Sequence, residues 1–170
     1  MAYASRLLLI SSLLFSAGAE AKCPDRLDGA SAAWGGPTAT SYNDPLFEPK
    51  GLRMLGRNVS YVTVTQDGFA VEMRFRLAGE VRRSGAPLSQ SIRDAFAESY
   101  SDIECSQLKA TCGAFDSFRD GPGYLTDVVL QDDSAPGSNW QGAGARLIAA
   151  DQKLSEQGSG PVYLICRYAK

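Results

Sequence analysis

The fold is decided by residues 58–77, which read NVSYVTVTQDGFAVEMRFRL. The first half is almost wholly β-branched or aromatic, a composition that favours a pleated strand over a helix. Asp67-Gly68 supplies residues that reach a positive φ in a tight turn. In the second half apolar and charged residues alternate, as in a strand with one buried face. The stretch therefore predicts a central β-hairpin, with Arg74 and Arg76 on its solvent face.

Residues 88–103 are the best candidate for a helix, because an apolar residue recurs at every fourth position and forms one stripe. Residues 124–131 and 162–168 read as strands, whereas residues 146–154 fit either a helix or a short strand. We therefore expect one α+β domain, with an antiparallel sheet built on the hairpin and the C-terminal strand. One amphipathic helix, residues 88–103, is expected to pack on that sheet.

The first 21 residues have the features of a signal peptide. Arg6 precedes an apolar run that is too short to anchor the chain in a bilayer, and Ala19-Glu20-Ala21 has the small-x-small pattern of a cleavage site. Cleavage after Ala21 leaves residues 22–170 as one exported domain, which we expect in the periplasm or the medium. No later stretch is apolar enough to be a transmembrane helix, and a net charge of −2 does not indicate nucleic acid as a partner.

The chain has four cysteines, an even number that suits a disulfide-bonded exported protein. Three pairings are possible. We prefer Cys105–Cys112, which closes a small loop, together with Cys23–Cys166, which ties the two ends of the exported domain across one sheet. No pair has Cys-x-x-Cys spacing and the paired knuckles of a zinc site are missing, so neither a redox centre nor a metal site is expected.

The absence of histidine excludes a Ser-His-Asp or Cys-His apparatus and any histidine-ligated metal. The glycine motifs of hydrolase elbows, Walker loops and dinucleotide-binding sites are also missing, and no cofactor is expected. Catalysis would have to rest on carboxylates, or on a serine with a lysine. Glycoside hydrolases use two carboxylates about 5–9 Å apart. The candidate carboxylates in or next to loops are Asp116, Asp120, Asp127, Asp132 and Asp133. Asp132-Asp133 and neighbouring loop oxygens could instead bind calcium, although the EF-hand spacing is absent.

An acidic row is the first candidate for a binding surface. Asp94, Glu98 and Asp102 recur at every fourth position on the polar face of the predicted helix. A basic segment, residues 46–93, precedes an acidic one, residues 94–133, and the two would neutralise each other if they packed side by side. The row is a docking surface for a basic partner if it is unpaired, and an ordinary solvated face if it is neutralised by Arg82, Arg83 or Arg93.

Two further candidates are aromatic and basic. Trp140 lies in a loop rich in glycine and polar residues, where an indole can stack on a sugar or anchor a protein interface. Alternatively, Trp140 caps the open end of the sheet core. Arg74 and Arg76 would receive a polyanion if the outer face of the hairpin is open, although Glu72 interrupts that patch.

These observations favour a non-enzymatic, exported module that binds a protein or a cell-envelope component, of the inhibitor or immunity kind. One alternative is a carboxylate-dependent hydrolase acting on envelope glycans, which requires two carboxylates that face each other in a cleft. Another is a structural or adhesive envelope subunit, which should expose an unpaired strand edge.

Overall fold

The computed structural model describes residues 20–27, 46–66, 70–100, 105–106, 111–112, 123–132 and 145–169 of the chain. These residues include eight strands and two helices. In chain order they are β1 Leu46–Phe47, β2 Arg53–Met54, β3 Arg57–Gln66, β4 Ala70–Arg83, α1 Gln90–Ser99, β5 Cys105–Ser106, β6 Thr111–Cys112, β7 Leu125–Asp132, α2 Ala145–Glu156 and β8 Ser159–Ala169.

The strands form one mostly antiparallel sheet in the order β1-β3-β4-β8-β7-β6-β5, and β2 also pairs with β3. The C-terminal strand β8 lies between β4 and β7, so the middle of the sheet is built from long strands. β3 and β4 are antiparallel neighbours. Asp67 and Gly68, the predicted turn residues, lie outside the described residues, so the turn between these strands stays a prediction. The combination of an antiparallel sheet with two helices is consistent with the α+β class.

A helix covers each face of the sheet. On the first face, Ile92 and Phe96 of α1 belong to the same core cluster as Phe75 and Leu77 of β4. On the second face, Ile148 of α2 packs into a smaller cluster of residues from β3, β7 and β8. Because side chains alternate along a strand, neighbouring residues of β4 and β8 face different helices.

The sequence predicts one helix, and the described residues contain two. The second, α2, lies where helix and strand patterns fitted equally well. Its buried side is formed by Ile148 and Asp151, whereas Ala149, Ala150 and Lys153 are exposed. An acidic residue on the buried side weakens the apolar stripe from which a helix is predicted.

The apolar stripe predicted for the first helix is buried along its whole length, at Leu88, Ile92, Phe96 and Tyr100. The regular helix is shorter than residues 88–103, since it ends at Ser99 and the N–H of Tyr100 donates to the carbonyl of Phe96. The Tyr100 hydroxyl accepts a hydrogen bond from the backbone N–H of Cys23 at 3.1 Å. Burial raises the pKa of Tyr100 to about 12, so this hydroxyl stays protonated at physiological pH.

The disulfide between Cys23 and Cys166 is present, as predicted, and it links positions 143 residues apart. Cys166 belongs to the central strand β8, and both cysteines are buried in the core of the first face. Cys105 and Cys112 are directly opposite each other in the β5–β6 pairing. Antiparallel partners have a Cα separation that suits a disulfide. Their side chains lie outside what the structure describes, so this second bridge stays a prediction.

A tight turn that no sequence pattern indicates joins β2 to β3. Met54 pairs with Arg57 across the two-residue loop Leu55-Gly56. Both loop residues have positive φ angles, 52° and 72°, which is the conformation of a type I′ turn. A leucine is rare in this conformation. The Leu55 side chain is only 3% exposed, so its burial in the core offsets the backbone strain.

Removing the Cys23–Cys166 disulfide should destabilise the fold without abolishing it. The double variant Cys23→Ala, Cys166→Ala opens a loop of 143 residues, and the expected loss is about 2–5 kcal/mol of unfolding free energy. Urea denaturation followed by circular dichroism measures this loss. The matched control, Cys105→Ala with Cys112→Ala, opens a much shorter loop and should lose less unfolding free energy. A larger loss in this control than in the Cys23→Ala, Cys166→Ala variant would contradict the expectation.

Candidate functional site

The structure separates the acidic and basic residues that the sequence nominates for binding. Asp94 and Glu98 are exposed on α1, which covers the first face of the sheet. Arg74 and Arg76 lie on the alternate positions of β4 and therefore face the other way. Arg74 and Arg76 consequently do not neutralise the acidic row. Asp102 and Trp140 lie outside the described residues.

The prediction that Arg76 faces solvent is wrong. Its exposure is only 6%, because α2 covers the second face at this point. Asp151 of α2 is equally buried, at 4% exposure, and forms an ion pair with Arg76. Alternating charged residues predict that one face of a strand is exposed to solvent. The sequence of the strand alone does not show that a helix packs on that face.

The guanidinium of Arg76 is bonded on every side. Its Nε donates to Asp151 Oδ2 at 2.9 Å and its Nη2 donates to Asp151 Oδ1 at 2.9 Å. This is the bidentate geometry that arginine forms with carboxylates. Its Nη1 donates to the carbonyls of Leu77 and Glu80, the second at 2.8 Å. The register of β4 shifts between Arg76 and Val81, and this irregularity turns the two carbonyls towards the guanidinium.

Two tyrosines complete this buried cluster, which consists of Tyr61, Arg76, Asp151 and Tyr163. The Tyr61 hydroxyl donates to Asp151 Oδ2 at 2.6 Å and is 2.7 Å from the Tyr163 hydroxyl. Burial, followed by the neighbouring Tyr163 and Asp151, raises the pKa of Tyr61, so it remains a neutral donor. Every member has a partner inside the protein, and the cluster therefore fastens α2 to the sheet and leaves no group free for a substrate.

Farther along the second face lies a half-buried ionic ladder, formed by Glu72, Arg74, Asp127 and Arg167. Arg74 and Arg167 each donate to Glu72 at 2.6 Å, and Arg167 also donates to Asp127 at 2.9 Å. Cross-strand register causes this arrangement, since Glu72 is opposite Arg167 and Arg167 is opposite Asp127. Burial lowers the pKa of Arg167, but its two carboxylate partners outweigh that effect and raise it.

Asp127 is the least satisfied member of the ladder. Its Oδ2 bonds to Arg167, while its Oδ1 is buried and has no hydrogen-bond partner among the described residues. Burial raises the pKa of the Asp127 carboxyl, although the hydrogen bond from Arg167, its charge and a hydrogen bond from the backbone of Val128 act in the opposite direction. Perturbed carboxyls of this kind occur at catalytic sites and also in structural ion pairs.

The gap between Glu72 and Asp127 is not open, as a glycoside hydrolase requires. The two carboxylates lie on one face of the sheet, on the strands that flank β8. The guanidinium of Arg167 lies between the two carboxylates and bonds to both. An acid–base pair needs that gap for a sugar or a water molecule.

On α1 the two described members of the acidic row remain without a cation. Asp94 accepts a hydrogen bond from the amide of Gln90 at 2.6 Å, and Arg93 bonds to Gln90 rather than to a carboxylate. Among the residues that the structure describes, no lysine or arginine forms an ion pair with Asp94 or Glu98. The described part of the row is therefore unneutralised.

A groove of about 440 Å³ adjoins the acidic face of α1, between this helix and the Leu55-Gly56 turn. Glu98, Ser99 and Ala95 line it from the helix, and the turn forms the other wall. Glu20 and Lys22 lie at the same groove, where Glu20 also pairs with Arg53. Among the described residues, Glu98 is therefore the carboxylate of this groove that has no ion-pair partner.

Sequence reasoning missed the two partners that organise the second face, Asp151 and Arg167. Asp151 lies in α2 and Arg167 lies in β8. A charged residue inside an otherwise apolar run indicates that a partner is needed. The identity of those partners follows from the sheet order, which no local pattern contains.

Neutralising Asp151 alone should lower the unfolding free energy more than replacing both residues of the ion pair. Asp151→Asn leaves the Arg76 guanidinium buried without a counter-charge, and the expected loss is about 3–5 kcal/mol of unfolding free energy. Replacing both residues, Arg76→Met with Asp151→Leu, should cost less than the single change. Urea denaturation compares the variants, with the exposed change Asp94→Asn as a control expected within about 0.5 kcal/mol of the parent. A single variant as stable as that control would contradict the assignment.

Asp127 should make stability fall as the pH rises. Its folded-state pKa lies above the ordinary value of 3.8, so the folded protein holds a proton that the unfolded chain has lost. The stability of the parent relative to Asp127→Asn is therefore greatest below pH 3.8 and decreases as the pH rises through the folded pKa. Denaturation of both proteins at several pH values between 3 and 7 tests the sign. A difference that grows with pH would mean that Arg167 dominates over burial.

Within the described residues no group of three or more acidic or cysteine side chains could hold a metal ion, and no helix there is long and apolar enough to cross a membrane. Comparison with known proteins found no match to a family profile, to a curated protein or to a solved structure.

Proposed function

We propose that this protein is a non-enzymatic exported binding module that docks a basic protein partner on the acidic face of α1, as an inhibitor or immunity protein does. The observation that carries the proposal is the pair of exposed carboxylates of Asp94 and Glu98, which no described cation neutralises. Asp102 extends the same row in the sequence. The paired strands β3 and β4 serve as the scaffold that supports α1.

Electrostatics supports a basic partner. Two like charges one helical turn apart disfavour the helix by a few tenths of a kcal/mol. A cationic partner removes that repulsion when it docks, and its long-range attraction raises the rate of association. The same attraction is screened by salt, with a Debye length of about 8 Å at physiological ionic strength.

The groove beside Glu98 supplies a shape for recognition. A long basic side chain that enters it places its methylene groups against Ala95 and its charged end near Glu98. Lys22 repels a cation from one side of the groove. This asymmetry directs the partner's basic residues towards the helix.

Export is consistent with the covalent structure. The Cys23–Cys166 bridge is buried in the core, and disulfides of this kind form and persist in oxidising compartments. The proposed location is therefore the periplasm or the medium. An envelope component is the other class of partner that the same negative surface would attract if it carried amino groups.

A hydrolase is the second candidate, and Asp127 is the observation that favours it. This carboxyl has a raised pKa and an unpartnered buried oxygen, which suit a general acid. Arg167 weighs against the hydrolase because it occupies the gap between Asp127 and Glu72. The adhesive subunit has less support, since the outermost strands of the described sheet, β1 and β5, have only two residues each.

Neutralising the acidic face should abolish partner capture. The tagged parent protein is used to purify partners from a native envelope extract, and each co-purified protein is then titrated separately by calorimetry. Asp94→Asn with Glu98→Gln raises the net charge by two and should weaken binding of a genuine partner at least tenfold. Raising the salt concentration should weaken parent binding in the same direction.

The matched control is Glu156→Lys, which also raises the net charge by two but lies on α2, on the opposite face of the sheet. This variant should bind as the parent does. If both variants lose binding equally, overall charge drives capture and the docking face on α1 is refuted. If neither loses binding, the partner uses another surface.

A further inference from the structure

The N-terminal residues 20 and 21 are built into the fold. Glu20 forms an isolated parallel bridge with Arg53, and the backbone N–H of Ala21 donates to the Arg53 carbonyl at 2.8 Å. Ala21 is also packed against the core of the first face. These contacts attach the chain to β2 before the disulfide at Cys23.

The side chain of Glu20 adds two specific contacts. One carboxylate oxygen accepts the backbone N–H of Gly56, and the other is 3.8 Å from Arg53 Nε. Gly56 belongs to the strained turn with Leu55, so Glu20 accepts a hydrogen bond from a turn in which a leucine has a positive φ. A residue that is discarded before folding has no reason to match this turn.

The sequence offers two cleavage motifs of the same quality. Ala19-Glu20-Ala21 predicts cleavage after Ala21. Ala17-Gly18-Ala19 has small residues at the same two positions and predicts cleavage after Ala19. Both lie within a few residues of the apolar run that ends at Phe15. The motifs alone do not distinguish them.

The contacts of residues 20 and 21 distinguish the two motifs. We infer that signal peptidase cleaves the bond between Ala19 and Glu20, so that the exported protein begins at Glu20. Hydrolysis of this bond gives a carboxylate on Ala19 of the released leader and a free ammonium group on Glu20, with one water consumed. Cleavage after Ala21 would remove the bonds to Arg53 and Gly56 and leave Lys22 as the first residue.

The inference rests on the export that the proposed function includes, but not on a docking partner, although Glu20 also lines the groove beside α1. The first residue of the exported protein is determined by sequencing the purified protein, whereas the docking proposal is tested by binding measurements. Each can therefore fail without the other.

The experiment expresses the full 170-residue chain in a bacterium with a periplasm, purifies the exported protein and reads its start by N-terminal sequencing and intact mass. A chain that begins at Glu20 is the expected result. A chain that begins at Lys22, or that keeps the leader, overturns the inference.

A matched pair of variants tests the motif itself. Ala17→Tyr places a large residue in the first motif only, and Ala21→Tyr places one in the second motif only. Ala17→Tyr should accumulate precursor or shift the start to Lys22, and Ala21→Tyr should still be cut before Glu20. Mass spectrometry of whole cells reads both products even if a variant folds poorly. The opposite pattern overturns the inference.

Discussion

The rest of the structure depends on the ion pair between Arg76 and Asp151, which is buried under α2. Helices cover both faces of the sheet, so charged side chains of the central strands are not all free to reach solvent. Desolvation of an arginine is tolerated only if its donors are met inside the protein. The carboxylate and two strand carbonyls meet those of Arg76. Since α2 contributes few apolar groups, this polar cluster specifies where the helix lies on the sheet.

This constraint also determines which charges remain available outside. Arg74, Arg76 and Arg167 are bound on the second face of the sheet, by Asp151 in the buried cluster and by Glu72 and Asp127 in the ionic ladder. The acidic residues of α1 lie on the other side of the sheet and receive none of them. The chain is nearly neutral as a whole, yet its described surface has an unneutralised negative face. Net charge alone conceals that imbalance.

Local patterns predict what a single element does, and they are less informative about what covers it. Alternation along residues 71–77 is enough to assign Phe75 and Leu77 to the core, and four-residue spacing assigns Ile92 and Phe96. Alternation also places Glu72, Arg74 and Arg76 together, but it cannot reveal α2 above them. The contact between Glu72 and Arg167 spans 95 residues of sequence, and it follows only from the pairing of β4 with β8. The disulfide between the two ends is predictable because few pairings exist.

The Cys23–Cys166 bridge has a mechanical consequence. It joins the segment around Cys23 to the strand β8, which lies in the middle of the sheet. Tension applied to the two ends of the chain therefore passes through a covalent sulfur–sulfur bond. This force does not extend the residues between the two cysteines. A module tethered at one end and pulled at the other would keep the face of α1 intact under load.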